Sequence, residues 1–428
     1  MGNKLLKFYA IATVLGVLVG LVGSSFRLSI DLLGTLLDHF FRFTGEQGWP
    51  LALISGVVSM LMALSAYLAV KYIAPEASGS GVPEIEGALL NVRPIFWRRL
   101  LPVKFFFGIL AISSKMVLGR EGPMIHIGGN LGEMLGEVFN LTPRRRHSLI
   151  ASGAAAGLAV AFNAPLASAL FVMEEMRHQF NYSFTSFTAV VISCITGTVV
   201  MGLIIGMQPT IQMSVFDLPS LDSLWIFALF GIVTGCVALL FNRSLIGSLA
   251  VIDKFTSKQR IYYVLTVGFS VGFLAVYYPS AVGGGMDIIH QALMISPGFI
   301  VLCFLLLLRF IGTMACYSTG VPGGIFAPML SLGTVLGLAM FHVVSFLHLD
   351  FSIQPGMFAV AGMAAFFAAS IRSPITGAVL VVEMTQNYSL IFPVMIACIT
   401  SAVVMQLARN EPIYTQLLER TLKTPLLK

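Results

Sequence analysis

A glutamate at position 121 lies inside Gly119-Arg120-Glu121-Gly122-Pro123-Met124-Ile125-His126-Ile127-Gly128-Gly129, in a strongly apolar chain. Placing an ionisable side chain at bilayer depth costs roughly 2.5–3.5 kcal/mol on insertion scales, so such residues mark pathways for ions, protons or substrate. The frame returns about 205 residues later as Gly324-Ile325-Phe326-Ala327-Pro328-Met329-Leu330-Ser331-Leu332-Gly333, with Phe326 in the place of Glu121. The carboxylate belongs to one copy only.

Two further segments, Gly79-Ser80-Gly81-Val82-Pro83 and Gly323-Gly324-Ile325-Phe326-Ala327-Pro328, suit helix starts, because glycine permits close backbone approach and proline fits a first turn. A helix N-terminus directs free N–H groups outward and carries about half a positive charge, so it binds an anion yet lets it leave. Ser80 adds a hydroxyl donor. Beside such ends the Glu121 carboxylate would compete for the ion's place, and protonation would remove its charge. One residue would then gate an anion path and carry a proton.

Other ionisable residues have blander readings. Glu174 and Glu175 end a long apolar run just before Met176-Arg177-His178, and by position alone they read as a solvated helix end. Arg120 serves equally as a structural partner of a carboxylate or carbonyl and as an anion ligand. Tyr414, on spacing alone, reads as an interfacial tyrosine. His126 follows Glu121 by five residues, a spacing that leaves the two off a common helix face and argues against a relay between them.

The elements that hold these residues must live in lipid. Of 428 residues 57% are hydrophobic and only 10% charged, against about 25% in soluble domains. Apolar stretches occupy 50–72, 148–173, 183–207, 223–242, 261–278, 298–316, 356–382 and 389–408, several meeting the roughly 20 residues of a spanning helix. Only helices and closed barrels satisfy the backbone in lipid, and these runs are too continuous for the alternation of barrel strands. The expected class is an all-α, polytopic, multi-pass protein of a cell membrane.

No cleavable signal peptide is expected at the N-terminus. Lys4 and Lys7 at one end, and Arg420, Lys423 and Lys428 at the other, place both termini in the cytoplasm under the positive-inside rule, which requires an even number of crossings. Arg144-Arg145-Arg146 and Lys254, Lys258 and Arg260 mark further cytoplasmic loops. A net charge of +6 distributed over such flanks argues against nucleic-acid binding. Cys194, Cys236, Cys303, Cys316 and Cys398 stand singly and the seven histidines are dispersed, so no metal, disulfide framework or cofactor is expected.

The chain also repeats itself. Gly153 to Glu174 overlays Gly362 to Glu383, with Pro165 on Pro374 and Glu174 on Glu383 at an offset of 209 residues. Gly79-Ser80-Gly81 falls on Gly283-Gly284-Gly285 at an offset of 204, and Ala88-Leu89 on Ala292-Leu293. Three blocks in one order divide the chain into halves, 1–205 and 206–410, followed by a short segment, 411–428, that carries Tyr414. Duplicated halves with Gly/Pro-interrupted helices characterise transporters whose binding site lies where the halves meet. The offsets alone leave open whether the halves run parallel or inverted.

Taken together, Gly79-Ser80-Gly81-Val82-Pro83, Gly119-Arg120-Glu121-Gly122-Pro123 and Gly324-Ile325-Phe326-Ala327-Pro328 resemble the three signature motifs of the CLC family of chloride channels and proton-coupled chloride transporters. Pro75-Glu76-Ala77, Pro83 through Leu89, Leu101-Pro102-Val103-Lys104-Phe105 and Phe162-Asn163-Ala164-Pro165-Leu166 extend the likeness nearly end to end and resemble the bacterial transporter branch. The resemblance implies an inverted repeat of tilted, broken helices, with one anion pathway per subunit of a homodimer, in a bacterial inner membrane. It implies that Ser80 and Tyr414 donate hydroxyls to a central chloride, completed by the backbone N–H groups of Ile325 and Phe326. Glu121 becomes the external gating carboxylate and Glu175 the internal proton-transfer carboxylate. Chloride is then substrate, not cofactor. Val82 departs from the commoner isoleucine, and no regulatory nucleotide-binding domains are expected in the 14 residues after Tyr414.

An acid at position 175 favours chloride/proton antiport, since channel members of the family generally lack one. A passive voltage- or pH-gated chloride channel is the first rival. The second is an intramembrane enzyme using Glu121, or Glu174 and Glu175, as acid and base; against it, the chain shows no Ser/His motif, no HExxH and no paired-aspartate signature.

Overall fold

A computed structural model describes residues 2–177, 180, 182–295, 297–348 and 353–423, with the side chains of 291–295 excepted. His178, Lys428 and the side chains of Ala292 and Leu293 therefore lie outside the described residues. The described residues form helices joined by loops, with two isolated backbone bridges and no named strand. Its order is α1 (Gly2–Glu46), α2 (Leu51–Tyr72), α3 (Val82–Leu89), α4 (Trp97–Ser113), α5 (Glu121–Val138), α6 (Pro143–Phe162), α7 (Pro165–Glu174) and α8 (Phe184–Ile205). The second series follows as α9 (Leu224–Asp253), α10 (Ser257–Tyr277), α11 (Met286–Ile295), α12 (Phe299–Ser318), α13 (Phe326–Phe346), α14 (Pro355–Ile371), α15 (Pro374–Thr385) and α16 (Ile391–Leu407). A last helix, α17 (Ile413–Lys423), stands outside both series.

The packing repeats with the order. α1 packs on α8 as α9 does on α16, α5 on α6 as α13 on α14, and α6 on α8 as α14 on α16. Between the series, α2 meets its counterpart α10, and α7 meets α15. In the first of these contacts Ser55 Oγ donates to Gly272 O at 2.7 Å, while a Cβ on Gly268 would lie 2.9 Å from the Met60 Cα. Position 55 faces 272 and position 60 faces 268, so counterpart helices run in opposite directions. That is the inverted arrangement the offsets left open.

Eight helices are long and apolar enough to cross a membrane among the described residues. At about 1.5 Å per residue, the 45 residues of α1 span roughly 68 Å, more than twice the hydrocarbon thickness, so this helix must tilt or project. Two of the long apolar runs are interrupted, as the Gly/Pro content of the repeated blocks implied. The stretch 148–173 divides at Asn163 (φ 53°), and 356–382 divides at Arg372 (φ 63°), 209 positions later. A proline follows two residues on in each case, and it opens the next short helix.

Small residues set the spacing of the central helices. A Cβ on Gly128 would fall 2.0 Å from Gly153 O, and one on Gly333 would fall 2.2 Å from Gly362 O. Lipid supplies little hydrophobic drive between helices, so this close backbone contact is what α5 gains from α6, and α13 from α14. The starts of α5 and α13 are thereby fixed deep in the protein.

Candidate functional site

Three loops meet where three helices begin. Gly79 N donates to Val321 O at 3.2 Å, and Gly323 N donates to Gly79 O at 3.0 Å. Gly119 and Gly324 exchange two bonds, at 2.7 and 2.8 Å. These bonds satisfy backbone groups that broken helices would otherwise leave unpaired in an apolar interior. They also bring the N-termini of α3, α5 and α13 together from both halves.

Ser80 is buried, and its Oγ accepts from Val82 N at 3.3 Å at the start of α3. Gly81 adopts φ 87°, a conformation that side chains resist, and a Cβ there would lie 2.1 Å from His126 Nδ1. His126 thus fills the space against Gly81. A Cβ on Gly122 would come within 2.7 Å of the Ser80 Cβ and one on Gly324 within 3.0 Å of Gly122 N, so the three signature segments touch.

Glu121 opens α5 and is 1% exposed. Its carboxylate lies beside the first turn of α13: a Cβ on Gly119 would fall 2.1 Å from its Oε2 and 3.1 Å from Ala327 N. The acid of the first half therefore lies over the helix start of the second. Ile325 and Phe326, both fully buried, occupy the N-cap and first position of α13.

Tyr414 differs from the interfacial reading. It is fully buried, its ring stacks on Phe326 with centroids 5.7 Å apart, and its hydroxyl has no hydrogen-bond partner among the described residues. Tyr317, Glu175, Glu86 and Glu121 are all within electrostatic reach of that hydroxyl. Tyr414 owes its place to α17, whose buried face (Ile413, Tyr414, Leu417, Leu418) is held from both halves. Arg93 reaches the Thr421 carbonyl, and Arg420 forms a two-pronged pair with Asp253 at 2.8 and 2.5 Å.

Glu175 is not a solvated helix end either. It is 8% exposed, and its Oε2 accepts from Ser373 Oγ at 3.1 Å. Arg120, at the N-cap of α5, lies within electrostatic reach of Arg27 and of Glu121.

Several residues that shape the site carry no sequence expectation. The Tyr317 hydroxyl closes on the loop that presents Ser80: a Cβ on Gly79 would lie 3.0 Å from it. Glu86 is fully buried, with neither carboxyl oxygen partnered among the described residues. Lys104 Nζ donates to Ala77 O at 2.9 Å and Gly79 O at 2.6 Å, gripping the loop that leads into Ser80. In the second half Arg309 grips the equivalent loop, donating to Ser280 O, Val282 O and Gly283 O at 3.0–3.1 Å. A lone cation in an apolar run is the signal that could have found both.

Comparison with known proteins places this geometry. The family described as "Voltage gated chloride channel" matches residues 61–406. The chain belongs to the CLC family. Within that family it is 44% identical to the H(+)/Cl(-) exchange transporter ClcA of Vibrio parahaemolyticus over 100% of this chain and 92% of the relative. It is 42% identical to ClcA of Salmonella arizonae over 97% of this chain and 89% of the relative. Among solved structures, a slow cyanobacterial Cl-/H+ antiporter superposes with a TM-score of 0.94 at 34% identity, covering 98% of both chains. A eukaryotic CLC transporter shares the fold, at a TM-score of 0.82 and 23% identity over 98% of this chain and 75% of that one.

Proposed function

We infer that this chain is a secondary active antiporter that exchanges chloride for protons across the membrane. One observation carries the reading: the buried Glu121 carboxylate lies against the first turn of α13, at the helix start that would otherwise serve an anion. A group that competes with the anion when charged, and withdraws when protonated, links the two ions by exclusion. Glu121 acts as the external gate. Ser80, Tyr414 and the N–H groups of Ile325 and Phe326 hold the central chloride, and Glu175 passes protons from the cytoplasmic side. The buried Tyr414 hydroxyl, without a hydrogen-bond partner among the described residues, supports its role, and the relatives' names support the exchange of the two ions.

The passive voltage- or pH-gated channel fits less well, because it gives the buried Glu175 no task. Enzymatic use of the same acids fits less well still, since the relatives are named as exchangers and the site's donors converge on helix starts. Neither cofactor nor metal enters this reading. We place the two halves at 1–205 and 206–410 with 411–428 as a short C-terminal segment. Both termini lie in the cytoplasm of a bacterium whose inner membrane holds the protein.

The active form is a homodimer. Glu174 and Glu383 are half-buried on a face that also exposes Leu166 and Ile375. A half-exposed carboxylate facing hydrocarbon is unfavourable, and a second copy would cover it. Proton and chloride fluxes in liposomes loaded with a pH-sensitive dye test the transport reading. Glu175→Gln should retain chloride flux and lose chloride-driven proton uptake; unchanged coupling would remove Glu175 from the mechanism.

A further inference from the structure

Glu174 and Glu383 occupy equivalent positions, the last turns of α7 and α15, and each reaches across to the other's helix. The Glu174 carboxylate accepts from Ile375 N at 3.1 Å and Thr376 N at 2.6 Å, in the first turn of α15. The Glu383 carboxylate accepts from Leu166 N at 3.2 Å and Ala167 N at 2.7 Å, in the first turn of α7. Leu166 and Ala167 precede Ile375 and Thr376 by the same 209 positions that separate the two glutamates. The contact is therefore reciprocal, each helix ending in an acid that satisfies two unpaired N–H groups at the start of its twin.

The residue after each glutamate breaks the symmetry. After Glu174 comes the buried acid Glu175, whereas after Glu383 comes the buried Met384. Glu175 leans on Ser373, the N-cap of α15, so consecutive carboxylates from α7 hold one helix start: Glu174 by its first-turn N–H groups and Glu175 by its cap hydroxyl. We propose that Glu174 is a positioning residue for proton transfer, fixing the start of α15 so that Ser373 stays within reach of Glu175. The Glu383 clasp, with Met384 beside it, is its purely structural twin.

This rests on the reading of Glu175 as the inner proton carrier, and the tests separate the two. Glu174→Ala removes the acceptor; losing two charge-assisted hydrogen bonds should lower the proton-to-chloride flux ratio about three- to tenfold, with chloride flux changed less than about twofold. Glu174→Gln keeps one amide oxygen, for one of the two N–H groups, and should give coupling between that of the wild type and that of Glu174→Ala. Glu383→Ala should leave the ratio intact. If Glu174→Ala does not fold, as read by gel filtration in detergent, Ser373→Ala replaces it. That variant leaves the clasp in place, removes the hydroxyl from Glu175, and should displace the pH profile of proton flux.

Wild-type coupling in Glu174→Ala, or a Ser373→Ala profile identical to wild type where Glu174→Ala does not fold, would overturn the proposal. So would loss of coupling in Glu174→Gln equal to that in the alanine variant, since Glu174 would then act by its own charge. Coupling that survives Glu175→Gln would instead defeat the underlying reading.

Discussion

At the scale of single residues, the acids we assign to transport belong to one half and the clasping acids to both. Glu121 has Phe326 as its counterpart and Glu175 has Met384, while Glu174 and Glu383 match. Glu121→Gln should abolish proton movement yet still pass chloride, because the neutral amide competes with the anion only weakly; retained proton coupling in the flux assay would contradict this. Lys104 gives a second prediction. Lys104→Met would leave the carbonyls of Ala77 and Gly79 without their buried donor, at about 1–3 kcal/mol each. Thermal stability should fall and chloride affinity by calorimetry should weaken, since the same loop presents Ser80.

Legibility in the sequence followed locality. Ser80, Glu121, Ile325 and Phe326 stood out because glycine and proline mark broken helices within a few residues of each. Tyr414 did not: its burial depends on Arg93 and Asp253, which hold α17 from opposite halves, and nothing near it in sequence announces that. It came only through family resemblance. Glu174 and Glu175 read as a solvated helix end for the same reason, since their partners lie about 200 residues away on α15. Tyr317 escaped notice because a tyrosine in an apolar run is unremarkable until its neighbour Ser80 is known.

At the scale of elements, close helix contact fixes the helix starts. Gly128→Val should be severely destabilising, by about 3 kcal/mol or more, because the side chain would meet the Gly153 carbonyl of α6 rather than a movable side-chain tip. Gly247→Ala in α9 is the control. A Cβ there meets nothing within 4 Å, so helix propensity should make the change neutral or stabilising by roughly 0.5–1 kcal/mol. Melting curves in detergent separate the two. The apolar runs marked α2, α6, α8, α9, α10, α12, α14 and α16, but none covered α5 or α13, whose starts were legible only through their Gly/Pro motifs; Pro165 and Pro374 marked the interruptions of the repeat, and the left-handed Asn163 and Arg372 fix where each falls.

At the scale of the whole molecule, two inverted series bring the starts of α3, α5 and α13 to one place. Composition showed the membrane class, the block offsets showed the duplication, and the antiparallel contact of α2 with α10 decided its sense. The half-buried Glu174 and Glu383 predict a mass of two chains in mild detergent by light scattering; a stable single chain with full activity would contradict the dimer. The central claim, that one site exchanges two ions, is tested most directly by imposing an outward chloride gradient on liposomes and recording internal pH. Proton movement against its own gradient, driven by chloride and lost in Glu121→Gln, is the predicted result. Chloride movement with no proton response, and a reversal potential that follows chloride alone at every pH, would contradict the account.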